Sequence, residues 1–185
     1  MKKFCLLLFV LSSFICNAQN LNFLGIPLGS SYPSFKQKLL SKGLSYDKEK
    51  SNNGEFINQF LFKGTFAGEN ARITVAVTPK SKLVSCVLVR FINWGHYPYD
   101  KKTPSDELQN KKYEEIKRGI CSRYPSIKAE DFFYDNENRR GTLWETDNWV
   151  IDLHTSWHDG WKNIDLFYRD KSIEILEKKE ASEDF

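Results

Sequence analysis

Ala71-Arg72-Ile73-Thr74-Val75-Ala76-Val77 is the stretch on which the fold turns. Ala71, Ile73, Val75 and Val77 alternate with Arg72 and Thr74, the period-two signature of a strand with one dry and one wet face. Pro79-Lys80-Ser81-Lys82 supplies a turn. Residues 83–92 then carry apolar side chains on both faces, Val84, Cys86 and Leu88 opposite Leu83, Val87, Val89 and Phe91. Such a strand belongs in the middle of a sheet. Upstream, residues 55–66 set Phe56, Phe60, Phe62 and Phe66 on one side, and Gly64 and Gly68 mark a bulge or turn.

A helix precedes these strands. Ser30 or Ser31 can cap it, Pro33 suits its first turn, and Gly43 supplies a left-handed stop. Tyr32, Phe35, Leu39 and Leu40 form its apolar face. Before it, Phe23, Leu24, Ile26 and Leu28 make a short extended segment broken by Gly25 and Pro27. The same order recurs downstream. Ser105 caps a second helix, with Asp106 and Glu107 at its positive end and Leu108, Tyr113, Ile116, Ile120 and Tyr124 along one face. Strands are expected at 142–146, 149–155 and 162–168, the last two joined by Asp159-Gly160. Trp149, Ile151 and Leu153 point one way, and Val150, Asp152 and His154 the other. A charged helix closes the chain from about 172 to 180.

The expected class is therefore α+β: two helix-plus-three-strand units, 19–92 and 105–168, building an antiparallel sheet with helices packed on one face. Both units belong to a single globular domain over residues 19–185. Residues 1–18 read as a signal peptide, with Lys2 and Lys3, a short apolar run from Phe4, and the small-residue exit Cys16-Asn17-Ala18. The run is too short for a membrane span. Cleavage leaves Cys86 and Cys121 of the four cysteines and takes the formal charge from +3 to +1. A near-neutral chain has little electrostatic attraction for nucleic acid or an anionic membrane. With 41% apolar and 15% aromatic residues it carries ample material for a core. The expected location is the periplasm or the exterior.

Phe23-Leu24-Gly25-Ile26-Pro27-Leu28, the helix end Lys42-Gly43-Leu44 and Lys63-Gly64-Thr65-Phe66-Ala67-Gly68 resemble a family of small exported proteins of gut Bacteroidota. Trp149–Thr155 and Asp165–Lys171 are similar to that family's closing strands. The resemblance implies export and attaches no activity and no catalytic residue. In order of elements alone, the chain is also similar to β-lactamase-inhibitor-like proteins, an analogy that carries no function.

The residues offer few patterns of chemistry. His154 and His158 stand four apart with Asp152 nearby, the raw material of a metal-dependent hydrolase, yet they straddle a strand end and a turn. No nucleophile elbow, Walker motif or dinucleotide glycine pattern occurs, and no cofactor is implied. Pairing of Cys86 with Cys121 would tie the central strand to the second helix; two separate buried thiols are the alternative. The aromatic residues give the more productive expectation. Trp94 and Tyr97 fall in the loop between the units, and Trp157 and Trp161 flank the last turn. Exposed rings there would suit a protein partner or a stacked glycan; otherwise they cover the core. The expected function is a non-enzymatic binding or protein-interaction module for an envelope or extracellular protein, with carbohydrate binding as the alternative.

Overall fold

The computed structural model describes residues 21–52, 58–91, 106–134, 139–158 and 161–182. Residues 1–18, expected to be a signal peptide, the segment 92–105 with Trp94 and Tyr97, and Asp159-Gly160 lie outside these residues. The chain opens with a hairpin of β1 (Asn22–Phe23) and β2 (Ile26–Pro27). Leu24 and Gly25 turn it, both at positive φ, the backbone that two-residue hairpins require. Helix α1 (Tyr32–Ser41) follows, then β3 (Ser45–Tyr46), α2 (Lys48–Asn52), β4 (Gln59–Phe66), β5 (Glu69–Val77) and β6 (Val84–Phe91). The second half runs α3 (Asp106–Arg123), β7 (Ala129–Tyr134), β8 (Arg139–Glu145), β9 (Trp149–His158), β10 (Trp161–Asp170) and α4 (Lys171–Ser182).

Strands β3 to β10 form one antiparallel sheet in the order β3-β4-β5-β6-β10-β9-β8-β7. Two meanders thus meet last strand to last strand. The architecture is α+β, as the alternation requires, but among the described residues each unit gives the large sheet four strands instead of three. The additional strands, β3 and β7, lie at the two edges. Edge strands need no apolar alternation, and Ala129-Glu130-Asp131-Phe132-Phe133-Tyr134 shows none that the neighbouring strands would match.

Register sorts the side chains onto two faces. Phe62, Ile73, Val89, Leu166 and Leu153 are cross-strand partners or neighbours on the core face, all fully buried. Helices α1 and α3 cover this face. Phe35 and Leu39 come from α1; Tyr113, Ile116 and Ile120 come from α3. Phe23 of the opening hairpin plugs the space between, with its ring 5.5 Å from that of Phe66 and 5.4 Å from that of Tyr168. Trp144 and Trp149 are buried here too, Trp149 against Tyr124.

Cys86 and Cys121 are free thiols, which settles the two alternatives against a disulfide. Cys86 pairs in register with Arg169 and Ala76, and its side chain is on the face opposite the one α3 covers. Cys121 packs from α3 against the core. The sheet stands between them. Burial pushes the Cys86 thiol up to about 12, so it stays protonated.

Helix α4 departs from the expected one-sided packing. Asp170 caps its start, accepting from the N–H groups of Ser172 (3.0 Å) and Ile173 (3.2 Å). The helix crosses the end of β6 and delivers buried Glu180 to the β5–β6 turn, where the carboxylate accepts from Lys80 N at 2.7 Å, Ser81 N at 3.1 Å and the Ser81 hydroxyl. These donors hold the Glu180 pKa below its ordinary value, the Ser81 hydroxyl contributing most. A carboxyl whose folded pKa is depressed stabilises the fold above its unfolded value and loses that contribution as pH falls through the folded one. Glu180→Gln is therefore expected to lower the thermal midpoint at neutral pH and to flatten its fall as pH drops through and below the ordinary glutamate range. Calorimetry across that range checks both effects; an unchanged acid limb would remove the Glu180 clamp as its cause.

Candidate functional site

The face of the sheet opposite α1 and α3 gathers the polar residues of the central strands. Alternation puts Arg72 on β5, Arg90 on β6, Asp165 on β10 and His154 on β9 in one cross-strand row, each partner directly beside the next. A second row, Leu61, Thr74, Leu88, Phe167, Asp152 and Leu143, runs parallel to it, and all six side chains are partly exposed. Among the described residues, no helix lies over the middle of these rows.

Asp165 anchors the site. Its residue is only 2% exposed, and both carboxylate oxygens are engaged. Arg90 donates through Nε to Oδ1 at 2.9 Å and through Nη2 to Oδ2 at 3.0 Å. Ser156 Oγ donates to Oδ2 at 2.8 Å. The bidentate fork is the geometry in which guanidinium and carboxylate match best. It fixes the Arg90 guanidinium in the plane of the sheet face and leaves it partly exposed to solvent.

His154 lies beside this pair. Its ring stacks on Phe167, with centroids 5.4 Å apart, and Nδ1 is 3.0 Å from Asp152 Oδ1. The second Asp152 oxygen is 4.0 Å from Arg169 Nη2. The structure thus brings together two of the three residues considered for metal binding. They form an imidazole–carboxylate pair next to a cation, and among the described residues no group of three metal-ligating side chains converges. The His158, Trp157 and Trp161 side chains lie outside the described residues. In the backbone, Trp161 pairs with His158 and Trp157 with Lys162 at the last rungs of β9 and β10.

The arrangement can present rigid charged and apolar groups to a partner. Arg72, Arg90, His154 and Arg169 offer donors, and Leu88, Phe167 and Leu143 supply apolar surface between them. Sequence reading placed Asp152 and His154 on one face but missed Arg90–Asp165, which are 75 residues apart. Comparison of the chain with protein families, with curated proteins and with solved structures finds no match.

Removing one member of the Arg90–Asp165 pair leaves a buried group without its partner. Asp165→Asn is expected to cost about 2–3 kcal/mol, somewhat less than a fully buried pair because Arg90 reaches solvent. Joint replacement by Arg90→Met and Asp165→Leu should cost less than the sum of the single changes. Urea unfolding of the four proteins reads the cycle. Additive losses would show that the pair is not coupled.

Proposed function

We propose that this chain is an exported, non-enzymatic binding module that docks a protein of the envelope or the extracellular space through the part of the far sheet face that α4 leaves open. The observation that carries this reading is the size and chemistry of that face. The seven long strands are six to ten residues each. Six spacings of ~4.8 Å by eight residues at ~3.4 Å make a face of roughly 800 Å², of which α4, with Glu174 and Glu177 near Cys86, covers the end at β6, β9 and β10. The part left open is therefore below the ~800 Å² that each partner gives a standard protein–protein interface and suits a smaller, transient one. Its composition also fits, with arginines and an aromatic ring around half-exposed leucines. The leader-like residues 1–18 and the resemblance to exported proteins support the location. Among the described residues, no helix is long and apolar enough to cross a membrane.

The test compares the parent chain with an Arg72→Glu/Leu88→Ser variant, both immobilised and exposed to envelope extract and to a glycan array. Both substitutions fall on partly exposed far-face positions, so the thermal midpoint should hold within a few degrees. A protein retained by the parent and lost at least tenfold by the variant is the expected result. Equal retention overturns the sheet-face reading. A glycan signal abolished by replacing Trp94, Tyr97, Trp157 and Trp161 with alanine, and untouched by the sheet-face variant, would make carbohydrate the ligand instead.

A further inference from the structure

On the opposite face, where the two units meet, the sheet and α3 enclose a cleft of about 290 Å³. Leu166 and Tyr168 of β10 form its floor, Ile116 and Ile120 of α3 one wall, and Phe66 at the β4–β5 turn the other. Gly119 of α3, an exposed residue, also lines it. A Cβ built on Gly119 meets no atom within 4 Å.

The two ends differ in charge. Lys112 closes one end as a strap between α3 and the β4–β5 turn, with Nζ 3.0 Å from Glu69, 3.2 Å from the Ala67 carbonyl and 3.4 Å from Glu115. Its charge is therefore compensated. Arg123 stands at the other end, over the edge of the Tyr124 ring, with no carboxylate in ion-pair distance among the described residues. Tyr124 and Tyr168 line that end as well, and burial pushes both hydroxyls above the ordinary phenol range, so they remain protonated donors. Eleven residue steps along the helix separate Lys112 from Arg123, a rise of about 16 Å.

The geometry points to a binding site for a medium-chain carboxylate, its alkyl chain laid along Ile116, Gly119 and Ile120 and its anionic head at Arg123. The mostly apolar lining suits an alkyl body, and a cation at one end without a carboxylate partner among the described residues suits one anionic terminus. The volume lies at the lower limit of small-molecule pockets, which suits a short chain. This reading is independent of the protein partner on the far face.

Octanoate and its neutral analogue 1-octanol are the probes, titrated into the ¹⁵N-labelled full chain and followed by amide shifts. Saturable shifts confined to residues 116–124, Leu166 and Tyr168 are expected, with octanoate bound at least about tenfold more tightly than octanol. Gly119→Leu should abolish them while keeping the thermal midpoint at or above the parent's, because leucine is the better helix former. Arg123→Gln should bring octanoate to within about threefold of octanol. Scattered or non-saturating shifts, equal binding of the two probes by the parent, or undiminished binding by Gly119→Leu would each overturn the proposal.

Discussion

The pairing of β6 with β10 holds the molecule together. Six rungs, from Cys86 opposite Arg169 to Phe91 opposite Ile164, join two meanders that among the described residues share no other strand pairing. Neither strand could serve as an edge. Val87, Val89 and Phe91 on one, and Leu166 and Ile164 on the other, would expose a dry row of side chains and unpaired backbone groups. Pairing buries these residues on the core face. On the far face the same rungs bring Leu88 onto Phe167 and Arg90 onto Asp165. A slip of one residue would turn Asp165 onto the core face and take it from Arg90 and Ser156, its partners on the far face. The ion pair therefore acts on register as much as on stability.

Sequence alternation made most of this sheet legible. Residues 71–77 and 149–155 have one face that must be dry, and residues 83–92 have two apolar faces, a pattern that only a central strand tolerates. Gly43 stopping α1 and the Phe66-Ala67-Gly68 turn were readable because glycine at positive φ has few other uses. The edge strands were not readable, since β7 mixes acidic and aromatic residues on both sides and β3 is two residues long. The disulfide question could not be answered from spacing. Helical and strand periods show that Cys121 and Cys86 each turn inward on their own elements, but not that those elements lie on opposite sides of the sheet.

The two candidate sites were legible to different degrees. The far-face row is a consequence of register, and register between strands 75 residues apart has no local signature. The cleft did leave a mark in the sequence. Gly119 stands in α3 beside the buried positions Ile116 and Ile120, on the exposed flank of the helix, where glycine weakens the helix and alanine would be the default. A glycine there either admits a neighbour or leaves space. Here no atom approaches within 4 Å of its missing Cβ, so it leaves space.

Both sites rest on the same strand. Leu166 and Tyr168 floor the cleft, whereas Asp165 and Phe167 hold the far-face rows, so consecutive residues of β10 serve opposite sides of the sheet. β10 is paired along its length with β9 and over six rungs with β6, which makes it the best-supported backbone in the fold. A binding surface gains from such a base, because side chains mounted on a fixed strand lose little further freedom when a partner arrives. The duplicated meander thus has a use beyond enlarging the core. Joining two sheets at their last strands creates a central strand that neither half could provide, and both proposed sites are built on it.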